Sequence, residues 1–187
     1  MKKQPQITEL TQKKLIDSFW KLYQKEDIIK ITVGDICKKA SYDRTTFYRY
    51  FNCISDILDY IEDTLINSIK DDIKNRYRKD NDGKIVFEGF KKFNEKYGER
   101  IIIFHEKGNR RFYHKFKELI KTDVYAYFKI DIKDESKKEF LFEFMFASLI
   151  NSYAYWYRHQ DMANLDSFVS LTNNMLVHGT KEIVNKL

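Results

Sequence analysis

The sequence predicts an all-α protein, with an N-terminal three-helix, helix-turn-helix domain (residues 1–53) joined to a longer helical domain (residues 54–187). Three observations carry that prediction. Apolar residues recur at three- and four-residue spacing along most of the chain, which is the period of an amphipathic helix. No run alternates apolar and polar residues between turn formers, as a half-buried strand would. A single proline, Pro5, leaves long helices uninterrupted. With 187 residues, 43% of them hydrophobic and 16% aromatic, the chain can bury a sizeable core.

The first helix is expected from about Thr8 to Gln24. Leu15, Phe19 and Leu22 line one side, Ile16, Trp20 and Tyr23 the adjacent side, and Lys13, Lys14, Lys21 and Lys25 point elsewhere. Such a stripe is wide enough to cover a two-helix motif and close a three-helix domain. Lys2 and Lys3 form a basic tail ahead of it.

Residues 31–51, ITVGDICKKASYDRTTFYRYF, read as two short helices joined by a tight turn. Thr32 is placed to N-cap the first, and Val33, Ile36, Cys37 and Ala40 then share one face. Ser41-Tyr42 breaks the pattern. Asp43 offers a second N-cap, and Phe47, Tyr50 and Phe51 resume the apolar spacing. The opposite face shows Arg44, Thr45, Tyr48 and Arg49, with Thr46 at the boundary. Hydroxyls, a phenol and guanidinium groups outward, with apolar groups inward, are the chemistry of a DNA recognition helix. Arginine can grip guanine O6 and N7 together, so Arg44, Thr45 and Arg49 are candidates for base edges. Tyr42, Thr46 and Tyr48 can donate hydroxyls to phosphate. Thr32 stands at a helix start, where backbone N–H groups and the dipole favour anions.

Charge agrees with that reading. Residues 1–51 hold eleven Lys/Arg against six Asp/Glu, so +5 of the chain's net +6 lies in this part. Phosphate binding requires such an excess, and a lysine-rich solvated surface alone would not need the asymmetry.

The motif resembles the N-terminal domain of tetracycline-repressor (TetR) family regulators, whose usual run is I-T-V-x-D-I-A-x-x-A-G-V-S-x-x-T-F-Y-x-H/Y-F. The chain matches at Ile31, Thr32, Val33, Asp35, Ile36, Ala40, Thr46, Phe47, Tyr48, Tyr50 and Phe51. The resemblance implies DNA contact by Thr46 and Tyr48, and more loosely by Thr32 and Arg49. Two departures stand out. Ser41 replaces the usual turn glycine, and a non-glycine residue at positive φ costs ~1 kcal/mol or more, so an adjusted turn is expected. Ile54 stands where the family often has a phosphate-touching lysine.

A fourth helix should run roughly from Asp56 to Arg76 behind a Ser55 cap, with Ile57, Leu58, Ile61, Leu65 and Ile69 inward. The charged stretch from Arg78 to Lys84 is a loop. Helix five, about Ile85 to Tyr97, places Val86, Phe90, Phe93 and Tyr97 on one face, and a short apolar helix (residues 101–104) follows Gly98. After the Gly108-Asn109 turn, a helix from about Arg110 to Phe128 turns Phe112, Phe116, Leu119 and Ile120 inward, and Asp131 to Ser136 is a polar break. Residues 140–157, FLFEFMFASLINSYAYWY, are apolar almost all round, so that helix has to be covered on every side. The final helix, about Asn164 to Val184, carries Leu165, Phe168, Val169, Leu171, Leu176, Val177 and Ile183. Two such helices meeting their symmetry mates would form a four-helix bundle, the dimer contact that the TetR resemblance implies. Tyr153, Trp156, Phe168, Leu171 and Met175 are its candidate residues. A bundle closed within one chain is the alternative.

No catalytic constellation is found. His105, His114, His159 and His178 are scattered, Cys37 and Cys53 lack ligand spacing, and Glu139 and Glu143 fit a helix edge better than acid/base work. No enzyme activity, metal or cofactor is expected. Neither a signal peptide nor an 18-residue apolar stretch is present, so the expected place is the cytoplasm, with no membrane partner. Phe90, Phe93, Tyr97, Phe104, Phe112 and Phe116 would converge in the C-terminal domain, as core or as an apolar ligand pocket. The resemblance implies a homodimeric repressor, released from a palindromic double-stranded DNA operator by a small apolar or aromatic effector. The alternative is a TetR-fold coactivator or adaptor that acts through a protein partner.

Overall fold

A computed structural model of the chain describes residues 5–77, 92–128 and 130–184. Among these residues there are eight α-helices and no strand: α1 (Pro5–Tyr23), α2 (Val33–Ala40), α3 (Arg44–Tyr48), α4 (Ile54–Tyr77), α5 (Glu99–Glu106), α6 (Arg110–Phe128), α7 (Glu135–Arg158) and α8 (Leu165–Val184). They belong to two compact units, Met1–Ser68 and Ile69–Leu187, divided within α4. Lys2, Lys3, the 78–84 loop, Val86 and Phe90 lie outside the described residues.

In the first unit α1 begins at Pro5, three residues before Thr8, because proline's missing N–H is no loss in the first turn of a helix. Leu15, Phe19 and Tyr23 are buried on its inner side, and the Phe19 and Tyr23 rings stack 5.5 Å apart. A 3₁₀ turn, Ile28–Lys30, carries the chain to α2. Ile36, Cys37, Ala40, Phe47, Phe51, Ile57, Ile61 and Leu65 complete the core, the Ile, Leu and Phe side chains contributing roughly 1.5–3 kcal/mol each. Helix α4 starts at Ile54, so Ser55 lies inside its first turn and does not cap it. The reason is Asp56. Its carboxylate accepts from the Asn52 amide (2.8 Å), the Asn52 side chain (3.0 Å) and the Cys53 thiol (3.2 Å).

In the second unit the chain is already helical at Lys92 and passes through a π-helical turn, Asn94–Gly98, directly into α5. Gly98 was expected to separate two helices, yet it keeps right-handed helical backbone (φ −53°, ψ −50°). Packing explains the glycine. A Cβ there would overlap the Tyr153 hydroxyl and lie 2.7 Å from Asn94 Oδ1. Gly108, by contrast, has φ +63° and ends α5, and Asn109 Oδ1 then caps α6 by accepting from Phe112 N at 2.9 Å. Helix α6 matches its expected bounds.

Helix α7 begins five residues before Phe140, because Asp134 Oδ1 accepts from the amides of Ser136 (3.0 Å) and Lys137 (3.2 Å). The polar break before it is only partly polar. Ile132 is buried with Ile130 against Leu141 and Met145. Glu139 and Glu143 do lie on a helix edge, where each meets a lysine of α6: Lys121–Glu139 and Lys117–Glu143, both 2.5 Å. Asn164 caps α8 by accepting from Ser167 N at 2.8 Å. No helix among the described residues is long and apolar enough to cross a membrane.

Candidate nucleic-acid interface

The candidate interface is built from two caps and one pin. Thr32 has extended backbone, and its Oγ1 accepts from Asp35 N at 3.1 Å while Asp35 Oδ2 accepts from Thr32 N (3.0 Å) and Thr32 Oγ1 (2.6 Å). This reciprocal capping box fixes the start of α2. It also turns both donors of Thr32 toward Asp35. The Thr32 hydroxyl, and after it the Thr32 amide, hold the Asp35 carboxyl below its ordinary pKa.

The turn is not adjusted. Ser41 takes the left-handed conformation (φ 58°, ψ 45°) in which glycine is usual. Its amide reaches the carbonyls of Cys37 and Lys38, and Tyr42 N donates to Cys37 O at 3.0 Å, so the hydrogen bonds that end α2 hold the strain. The buried Cys37 thiol donates to Asp43 O at 3.4 Å, tying α2 to the start of α3, and burial pushes its pKa up. Asp43 then caps α3 by accepting from Thr46 N at 2.5 Å, a bond that lowers the Asp43 pKa.

Phe47 is the pin. It is completely buried, and its ring meets Phe51 at 5.9 Å and Tyr48 edge-on at 5.4 Å. With Phe47 inward, Arg44, Thr45, Tyr48 and Arg49 are exposed and Thr46 is half-buried, as their spacing predicts. Tyr48 is 56% exposed. Tyr42 is different. Its hydroxyl lies 3.5 Å from Thr11 Oγ1 and its ring sits under Lys14 Nζ at 5.9 Å, so it braces the turn against α1. The sequence reading passed over Gly34, which faces the Arg44 guanidinium. A glycine in the first turn of a helix was the signal that could have found it.

In the second unit the structure brings Phe93, Tyr97, Phe104, Phe112 and Phe116 together. Ring centroids lie 5.2 Å apart for Phe93–Tyr97, 4.4 Å for Phe104–Phe112 and 5.8 Å for Phe112–Phe116, and Phe146 of α7 joins at 6.1 Å from Phe116. The residues named for the dimer separate into two groups. Tyr153 and Trp156 are buried in their own unit, where Trp156 stacks on Phe168 at 5.3 Å and donates from Nε1 to Ala163 O at 2.9 Å. Leu171 (63%) and Met175 (69%) are exposed, as are Phe140, Phe144 and Tyr155 on α7. The apolar face left uncovered therefore runs through Phe144 and Tyr155, not through Trp156.

No family model matches the sequence, and no curated protein matches it. Solved structures do. A TetR transcriptional regulator from Streptococcus agalactiae 2603V is similar with a TM-score of 0.66 and 21% identity, over 91% of this chain and 96% of that one. The fatty acid degradation regulator FadR from Bacillus halodurans is similar with a TM-score of 0.64 and 18% identity, over 96% and 98%. At such identities the likeness speaks for the fold: along nearly its whole length, the chain has the all-α fold of these TetR-type regulators.

Proposed function

We propose that the chain is a DNA-binding transcriptional regulator of the cytoplasm, a homodimeric repressor that a small apolar or aromatic effector releases from a palindromic operator. The observation that carries this is the outward display of Arg44, Thr45, Tyr48 and Arg49 on a helix capped by Asp43 and pinned by Phe47. Two such helices, ~34–36 Å apart in a dimer, would enter successive major grooves. The exposed apolar groups on α7 and α8 support a second copy as their cover. An effector that binds best when the two reading heads are spread otherwise would weaken DNA binding by linkage. The aromatic cluster around Phe104 and Phe112 supports an apolar effector, and the similarity to a regulator of fatty acid degradation makes long-chain apolar molecules the first to try.

The test is selection from a randomised duplex pool with the purified protein, followed by a footprint on DNA flanking its own gene. A two-fold symmetric protected site is expected. A coactivator or adaptor is the second reading, favoured by Ile54 at the start of α4 where a phosphate-touching lysine would otherwise stand. Failure to enrich any duplex, together with a co-purifying protein partner, would decide for it.

A further inference from the structure

Gly34 is the second residue of α2, where almost any other residue would form helix more readily. What lies over the missing side chain is the Arg44 guanidinium. A Cβ on Gly34 would lie 3.2 Å from Nη2 and 3.9 Å from Nε of Arg44, and 3.5 Å from Thr32 Oγ1. The Arg44 guanidinium is therefore drawn back from α3 and laid across the first turn of α2, although Arg44 is an exposed residue. In a helix-turn-helix the second helix enters the major groove and the first crosses the phosphate backbone. A guanidinium laid on the first helix stands on the backbone side of that division.

We infer that Gly34 is a positioning residue for Arg44, and that Arg44 so placed contacts a DNA phosphate and not a base edge. The inference rests on the DNA-binding reading above and deepens it. Arg44 fixes register, and base reading falls to Thr45 and Arg49.

The experiment titrates the parent, Arg44→Ala, Gly34→Ala, Gly34→Leu, Gly34→Gln and the double variant Gly34→Leu/Arg44→Ala. Each meets a duplex enriched by the parent and its scrambled counterpart at several salt concentrations, with a thermal melt alongside. Arg44→Ala is expected to weaken both duplexes by the same factor and to reduce the salt slope by about 1 per chain. Gly34→Ala asks the flexible Arg44 tip to move only a few tenths of an ångström and should stay close to the parent. Gly34→Leu fills the place of the guanidinium and should reproduce the Arg44→Ala loss without a lower melting temperature, with the double variant no weaker than either single one. Gly34→Gln is a second occupant of that place should the leucine variant fold poorly. A loss in Arg44→Ala confined to the enriched duplex, or single losses that multiply in the double variant, would overturn the inference while DNA binding stands. A parent that binds neither duplex would refute the DNA reading itself, and the inference with it.

Discussion

Asp43 accepts the backbone N–H of Thr46 at 2.5 Å, and this bond starts the five-residue helix that displays Arg44, Thr45 and Tyr48. A helix that short has little stability of its own. Its register therefore depends on the cap at one end and on buried Phe47 and Phe51 at the other.

The first prediction concerns pH. Asp43, Asp35 and Asp56 all have pKa values lowered from the ordinary 3.8, chiefly by hydrogen bonds from the Thr46 amide, the Thr32 hydroxyl and the Asn52 amide respectively. Groups lowered on folding stabilise the native state fully above the ordinary carboxylate value, and that contribution is lost as pH falls through the lowered value. The urea midpoint should be flat from about pH 7 to 5 and decline below about 4. Asp43→Asn retains a capping oxygen and should reduce the decline, whereas Asp43→Ala should lower the midpoint at neutral pH. A decline as steep in Asp43→Asn as in the parent would contradict the assignment.

The second concerns assembly. Leu171→Glu and Met175→Glu place charge on exposed positions of α8 and should convert a dimer to a folded monomer, read by light scattering at micromolar concentration. Trp156→Ala should instead destabilise the chain's own unit by ~3–5 kcal/mol, because the ring is buried on Phe168. A monomeric parent would sink the dimer.

The third concerns Gly98. Tyr153 OH donates to Asn94 Oδ1 directly over Gly98, and burial holds the Tyr153 phenol well above its usual pKa, so it stays a donor. Gly98→Ala should destabilise by ~1–3 kcal/mol through overpacking. Tyr153→Phe removes the oxygen that the new methyl would strike, so the double variant should lose less than the two single losses added. Strict additivity in denaturant unfolding would show that the clash lies elsewhere.

The fourth concerns DNA reading. Arg49→Ala should relax preference at one base position at a cost of ~1–3 kcal/mol, while Tyr48→Phe, which loses only the hydroxyl proposed to donate to phosphate, should weaken enriched and scrambled duplexes about equally. Both variants binding the enriched duplex as tightly as the parent would remove α3 from the interface.

Much of this protein is written in local spacing. The caps at Thr32 and Asp43, the inward Phe47, the outward Arg44, Thr45, Tyr48 and Arg49, and the bounds of α6 follow from residue type and the helical period alone. Those features depend on contacts within four residues, which a sequence displays directly. Other features needed the folded chain. Gly98 reads as a helix breaker until Tyr153, fifty-five positions later, is seen to occupy the space of its missing Cβ. The apolar run 140–157 does not reveal which of its aromatics face inward, and Trp156 turned to Phe168 while Phe144 and Tyr155 stayed outside. Arg44 points outward by helical period, yet its long side chain folds back over Gly34, ten residues earlier. In each of these cases atoms distant in sequence compete for one volume, and periodicity carries no information about which of them arrives there.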